Sequence, residues 1–212
     1  MRDFPMFTTE YGVASLVLRE IPYREEAYIT ILSSEQPDEL LEECVSFCRM
    51  CGAETVLAQG HPMLEKFPLQ TAVYEMRGLT QVDPDKVESL FPVTEATVGR
   101  WREIYNARMR SVDCASTQTS RDEAKIISSG GAYFVHHQGE LLGIGWMEDT
   151  KLLAICGEKP GAGERVMHTL MSLIEDASMN LEVASTNERA IRLYQRLGFS
   201  IINEKTRWYR VR

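Results

Sequence analysis

The stretch LEVASTNERAIRLYQRLGF, from Leu181 to Phe199, changes its period part-way and constrains the fold more than any other part of the chain. Leu181–Ala184 reads as a strand, a polar turn follows, and apolar residues then recur at helical spacing. Ala190, Leu193, Tyr194 and Leu197 fall on one stripe, and Gly198-Phe199 ends the helix. Two starts fit: Asn187 as the N-cap, or Ser185 with Glu188 as a capping box. In both, Asn187 stands at the helix entrance. Tyr194, seven residues on, lies two turns later on the same face, with the small Ala190 between them. Such a face serves either as core, with Asn187 only a cap, or as the wall of a ligand site.

A second element bears on that choice. Lys151–Cys156 (KLLAIC) reads as a strand, followed by the loop GEKPGAG (Gly157–Gly163) and a helix from Glu164 to about Met179. Val166, Leu170, Leu173, Ile174 and Ala177 form that helix's apolar stripe. A strand feeding a glycine-rich loop that opens a helix suits phosphate: glycines allow close backbone approach, and first-turn N–H groups point at the anion.

The order strand, glycine loop, helix, strand, Asn, helix with Tyr, Gly-Phe resembles the GNAT acetyltransferase superfamily over roughly Phe91 to Arg212. That family's loop pattern, Q/R-x-x-G-x-G/A, falls on Glu158-Lys159-Pro160-Gly161-Ala162-Gly163, with Glu158 where the family has Gln or Arg. Its second pattern matches Asn187, Ala190, Leu193, Tyr194, Gly198 and Phe199. The resemblance implies an α+β (α/β) fold: a mostly antiparallel twisted sheet flanked by helices.

The first half echoes the second in shortened form. Residues 1–25 are mixed, with Val13–Leu18 fitting an edge strand or a short helix. Then come strand Ala27–Leu32, helix Pro37–Cys51, strand Glu54–Ala58, a turn-helix after Gly60-His61-Pro62, and strand Leu69–Met76. VLAQGHPMLEKF lies against EVASTNERAIRLYQRLGF with His61 near the place of Asn187, which reads as a degenerate partial repeat. Its connection Ser33–Asp38 (SSEQPD) holds no glycine, so it lacks a phosphate cradle, and His61 reads as a turn residue. Gly78–Pro92, with two prolines and several acids, is the linker candidate. The division expected is 1–80, linker 81–92, and 93–212.

In the second half, Thr94–Arg110 reads as a helix with Val98, Trp101, Ile104, Tyr105 and Met109 inward. A polar loop, Ser111–Thr119, follows, then a capping box at Ser120 and Glu123. Strands Ala132–His137 and Leu141–Met147 form a hairpin around Gln138-Gly139-Glu140, and Lys205–Val211 is the last strand. His136 and His137 are adjacent on a strand, point to opposite faces and so do not share a metal.

Charge and cysteines narrow the function classes. A net charge of −8 argues against nonspecific nucleic-acid binding, which needs a basic surface. No apolar run approaches a membrane span and no signal segment is evident, so the expected setting is cytoplasmic, with the five cysteines reduced. Cys44, Cys48 and Cys51 have the C-x3-C-x2-C spacing of an iron–sulfur loop. With Leu41 and Val45 they also form the inner stripe of a helix, and that reading is preferred; no metal is expected.

The resemblance implies transfer of an acetyl group from acetyl-CoA to an amine acceptor, small molecule or peptide. The pyrophosphate would sit on Gly161, Ala162, Gly163, Glu164, Arg165 and Val166, with Asn187 and Ala190 alongside. The thioester would lie where strands Lys151–Cys156 and Leu181–Ala184 splay apart, a backbone N–H at Leu153, Ala154 or Ile155 polarising its carbonyl. Tyr194 would donate to the departing sulfur. As a phenol of pKa about 10 facing a thiol of about 8.5, it would act by a strong hydrogen bond or by full proton transfer. Glu148, Asp149 and Glu103 are base candidates by position, equally readable as solvated carboxylates. The repulsion expected of Glu158 near a diphosphate, offset by Lys159 and Arg165, keeps a CoA-binding module without turnover as the alternative, and a scaffold with an empty loop as a third. A homodimer is compatible with the sequence.

Overall fold

The computed structural model describes residues 5–174 and 178–212. Two compact units emerge, Met1–Val73 with Glu204–Arg212, and Tyr74–Asn203. The division therefore falls at 73/74 and 203/204 instead of within 81–92. Both crossings lie inside strands, β5 (Leu69–Leu79) and β11 (Ser200–Arg210).

In the first unit, β1 (Met6–Thr9), β2 (Gly12–Val17) and β3 (Glu26–Ser34) form an antiparallel meander. The short helix α1 (Ile21–Arg24) precedes β3. The crossover helix α2 (Pro37–Met50) returns the chain to β4 (Thr55–Gln59), parallel to β3, and the end of β11 pairs antiparallel with β4. Proline at the first turn and Asp38 and Glu39 beside it suit a helix start. Leu40, Leu41, Cys44 and Cys48 are buried, and burial pushes the Cys44 and Cys48 thiols up to about 12 and 11. Cys51 is not on the inner stripe: it is the exposed C-cap.

The second unit repeats the plan at greater length. The supposed linker is structured, with a 3-10 turn at Pro84–Lys86 and β6 (Ser89–Pro92) paired to β7 (Ala132–His137). β7, β8 (Glu140–Glu148) and β9 (Lys151–Gly157) are antiparallel. Gln138 and Gly139 both take positive φ, so the β7–β8 turn has two residues and Glu140 already belongs to the strand. Helix α5 (Ala162–Met171) then crosses to β10 (Ser178–Ala184), parallel to β9, followed by α6 (Glu188–Arg196).

Helix α5 stops eight residues short of the expected end: Met179 lies in β10, Leu173 is exposed, and Ala177 lies outside the described residues. Helix α3 (Val98–Met109) buries Val98, Trp101, Ile104 and Tyr105 as its period requires. The capping box falls one residue earlier than expected, on Thr119 and Asp122, ahead of α4 (Glu123–Ser128).

Both faces of this sheet are covered. On β8, Ile144 and Trp146 join the cluster around α3, while a Cβ on Gly145 would strike Leu170 of α5 at 2.5 Å. Alternation along the strand thus gives α3 one face and α5 the other, and glycine lets α5 lie close.

Candidate functional site

Among the described residues, strands β9 and β10 pair only at Asn180↔Lys151 and Leu181↔Leu152, so beyond Leu152 they separate. On its other edge β9 carries a bulge: register jumps from Met147↔Leu152 to Trp146↔Ala154, leaving Leu153 as the extra residue. One extra residue flips the side-chain parity. Leu152 accordingly joins the α5-side cluster, and Ala154 and Cys156 the α3-side cluster. The segment named for the polarising N–H, Leu153–Ile155, is therefore irregular on one edge and unpaired on the other.

At the end of β9 the loop folds into α5. Gly161 is its N-cap at φ +88, where L side chains are strained and nothing would meet a Cβ. Gly157 does a different job. A Cβ there would lie 3.0 Å from the Gly163 nitrogen and 3.4 Å from the Ala162 Cβ, so its absence leaves the first turn of α5 open. Of the first-turn amides, Ala162 and Glu164 bond the Lys159 and Gly161 carbonyls at 3.1 and 3.3 Å. Gly163 lies against α6: a Cβ there would be in ordinary contact with Leu193 at 3.4 Å.

Side chains of this turn face elsewhere. Glu164 takes a 2.7 Å bond from Lys86, whose ammonium holds the Glu164 carboxyl below its ordinary range. Arg165 pairs with Glu88, which also bonds His137 at 2.8 Å; burial works to raise the Glu88 carboxyl, but the two hydrogen bonds outweigh it. Val166 is fully buried and Lys159 pairs with Glu140 at 2.7 Å. An anion here would accordingly meet backbone N–H groups.

Helix α6 settles the capping alternatives. Asn187 Oδ1 accepts from the Ala190 N–H at 3.3 Å, so Asn187 is the cap. The far end is a Schellman motif: Phe199 N–H donates to the Tyr194 carbonyl at 3.0 Å and Gly198 N–H to Gln195 at 3.1 Å, with Gly198 at φ +84. The Phe199 ring packs 6.0 Å from that of Tyr194, the apolar contact such a stop carries. Spacing of Tyr, Gly and Phe thus has a purely structural cause as well.

Tyr194 is buried, and its hydroxyl makes no hydrogen bond among the described residues. Burial and then the nearby Cys156 push its pKa above the ordinary value. Cys156, on β9 beyond the point of separation, has its thiol pushed up to about 12 by burial, with Arg108 pulling the other way. Loop, α6 and the end of β9 therefore converge.

The base candidates do not. Glu148 pairs across from Lys151 at the start of β9, roughly 16 Å of strand from Cys156, and Asp149 is in the same turn. Glu103 pairs with Arg100 on the exposed side of α3. Missed by the sequence reading were Cys156 beside Tyr194, the Lys86 and Glu88 contacts, Arg108 against Glu158 at 3.1 Å, and Asp113 accepting from Thr186 at 2.6 Å. Each joins residues far apart in the chain, where no local pattern signals a contact.

No family model and no curated protein matches this sequence. Solved structures do. An acetyltransferase of the GNAT family from Colwellia psychrerythraea matches with TM-score 0.54 at 10% identity, over 98% of this chain and 84% of its own. The fold is that of the GCN5-related N-acetyltransferases. A GCN5-related N-acetyltransferase from Sphaerobacter thermophilus shares the GNAT fold at TM-score 0.52 and 13% identity, over 93% and 74% of the two chains. A conserved protein of unknown function from Staphylococcus epidermidis matches at TM-score 0.60 and 11% identity, over 99% and 94%. At these identities the likeness is one of fold.

Proposed function

We propose that the chain is an N-acetyltransferase that takes its acetyl group from acetyl-CoA and passes it to a primary amine. The observation that carries this reading is the separation of β9 from β10 beyond Leu152, with the buried residue Tyr194, its hydroxyl unengaged, beside its far end. The bound group would supply an activated acetyl thioester. Its diphosphate would be held by the first-turn N–H groups of α5 behind Gly157 and Gly161, and its chain by the free edge of β9 at Leu153–Ile155.

Transfer would form a carbon–nitrogen bond and break the carbon–sulfur bond, the amine giving up one proton to solvent and the departing sulfur carrying the negative charge. Tyr194 serves that charge as a hydrogen-bond donor that keeps its proton: a phenol raised above 10 is a poorer acid than the thiol it faces. The side chains of Arg165 and Glu164 are engaged by Glu88 and Lys86, and the Ala162 and Glu164 N–H groups already bond carbonyls of the loop, so Gly163 N–H is the first-turn donor that would lead. The first unit is read as a degenerate partial repeat of the second. The alternative of a CoA-binding module rested on Glu158, whose carboxylate is neutralised by Arg108.

Release of free thiol from acetyl-CoA, measured against a panel of amines, tests the reading. Turnover with one amine class is expected. Tyr194→Phe should lower kcat at least ~10-fold, about 1.4 kcal/mol of transition-state stabilisation, with little change in KM for acetyl-CoA. Tight binding of acetyl-CoA, no turnover across the panel and no effect of Tyr194→Phe would favour the module.

A further inference from the structure

Glu158 stands where the resembled loop pattern carries Gln or Arg, and a carboxylate there repels a diphosphate unless its charge is met. Arg108, in the last turn of α3, meets it. Its Nη2 donates to the Glu158 carboxylate at 3.1 Å and to the Glu158 main-chain carbonyl at 3.0 Å. One guanidinium holding a carboxylate oxygen and the main-chain oxygen of one residue fixes where that residue lies as well as meeting its charge. On the other side the Glu158 N–H donates to the Leu142 carbonyl at 2.7 Å. Leaving β9, the loop is thus pinned between β8 and α3, three residues before the Gly161 cap. Nη2 is occupied, but the Nη1 and Nε donors remain, and the side chain is 44% exposed.

We infer that Arg108 is a positioning residue that delivers from α3 the positive charge that Lys159, paired with Glu140, does not bring to Glu158, with Glu158 as its anchor. The pair holds the loop so that the open first turn of α5 faces the diphosphate. This rests on the acetyl-CoA reading above. Two views of Glu158 differ in sign. As a mere like charge near the phosphates, its removal tightens CoA binding; as the anchor of Arg108, its removal weakens it.

Calorimetric titration with CoA, alongside thermal unfolding, decides between them. Arg108→Ala should raise Kd about 10-fold and Glu158→Gln about 3-fold, while the swapped double variant Arg108→Glu with Glu158→Arg returns to within about 3-fold of the native value. So exposed a pair contributes little to folding, so melting temperatures should stay within about 2 °C. Glu158→Gln binding CoA as well as or better than the native protein would overturn the role of Arg108 and leave the acetyl-CoA reading intact. A double variant no better than Arg108→Ala would do the same. A native protein that fails to bind CoA would instead overturn the acetyl-CoA reading, and this inference with it.

Discussion

Each unit contains one parallel strand pair joined by a crossover helix, and the two pairs end differently. In the first unit β3 and β4 stay in step from Glu26↔Thr55 to Thr30↔Gln59. A Cβ on Gly60, just past β4, would strike the Ile31 carbonyl at 2.5 Å, so the two strands remain pressed together. In the second unit β9 and β10 part after the second pair. The connections differ to match. Ser34 donates to the Tyr11 carbonyl at 2.6 Å and accepts from Gln36 N–H at 3.0 Å, filling that loop with its own polar groups, and Pro37 removes one first-turn donor. Gly157 and Gly161 leave the corresponding place open. After the second strand, His61 caps only the 3-10 turn Pro62–Lys66, whereas Asn187 caps a nine-residue helix long enough to carry Tyr194 two turns in. Similar topology therefore yields a sealed sheet in one unit and a slot in the other. The difference lies in unpaired backbone and missing side chains, with only Tyr194 added.

Core truncation gives the largest effect that separates the units. Leu40→Ala and Leu170→Ala each empty a fully buried site and should cost about 3 kcal/mol of stability, read by urea unfolding. Only Leu170→Ala should also weaken CoA binding by the folded protein, because Leu170 seats α5 on β8. Equal losses of affinity in both would mean that the first unit is part of the site.

Filling the open turn comes next. Gly157→Val puts atoms against the Gly163 nitrogen and should lower CoA affinity about 100-fold, near 2.7 kcal/mol. Ser34→Val, at the sealed counterpart, should cost about 1 kcal/mol of stability by losing its hydrogen bonds, and no affinity. If CoA binding survives Gly157→Val, the cradle lies elsewhere.

Cap removal is a smaller version of the same contrast. Asn187→Ala and His61→Ala should each destabilise by about 1 kcal/mol, and only Asn187→Ala should lower turnover, since it loosens the helix that aims Tyr194. Equal turnover in the two variants would detach Asn187 from the chemistry.

What could be read from the sequence follows this division. The turn into α6 and its Gly-Phe stop were legible because cap, stripe and Schellman residues lie within one local window. The loop before α5 was legible for the same reason. Residues 81–92 were misread, since prolines and acids look alike in a linker and in a strap held by distant partners. Here Asp83 N–H bonds His168, Glu88 N–H bonds Thr169, and Lys86 and Glu88 grip Glu164 and Arg165. A strand of four residues, β6, is too short to show a period. The bulge at Leu153 leaves no trace in KLLAIC because its evidence is a register with β8. Charge compensation of Glu158 was invisible too: its partner sits fifty residues away on α3.

That strap supplies the smallest effect, confined to the second unit. Helix α2 has no histidine, and beside it lies an open groove of about 680 Å³ that includes Leu41, Val45 and Phe67. Helix α5 is instead strapped, and His168 on it is buried with Nδ1 accepting from Asp83 N–H at 3.1 Å. Burial pushes the His168 pKa below its ordinary value and Lys86 acts the same way, while Asp83 and Glu164 oppose them. The native state thus favours the neutral ring. As pH falls through about 6.5 the unfolded chain takes up the proton first, so the stabilisation His168 gives is complete above that pH and declines below it. One proton limits the slope to about 1.4 kcal/mol per pH unit, and the opposing carboxylates reduce it further. His168→Asn keeps an acceptor for the Asp83 N–H and has no proton to gain, so its stability between pH 7 and 5.5 should be flatter than the native protein's in urea unfolding. An unchanged slope would move the pH dependence to another group.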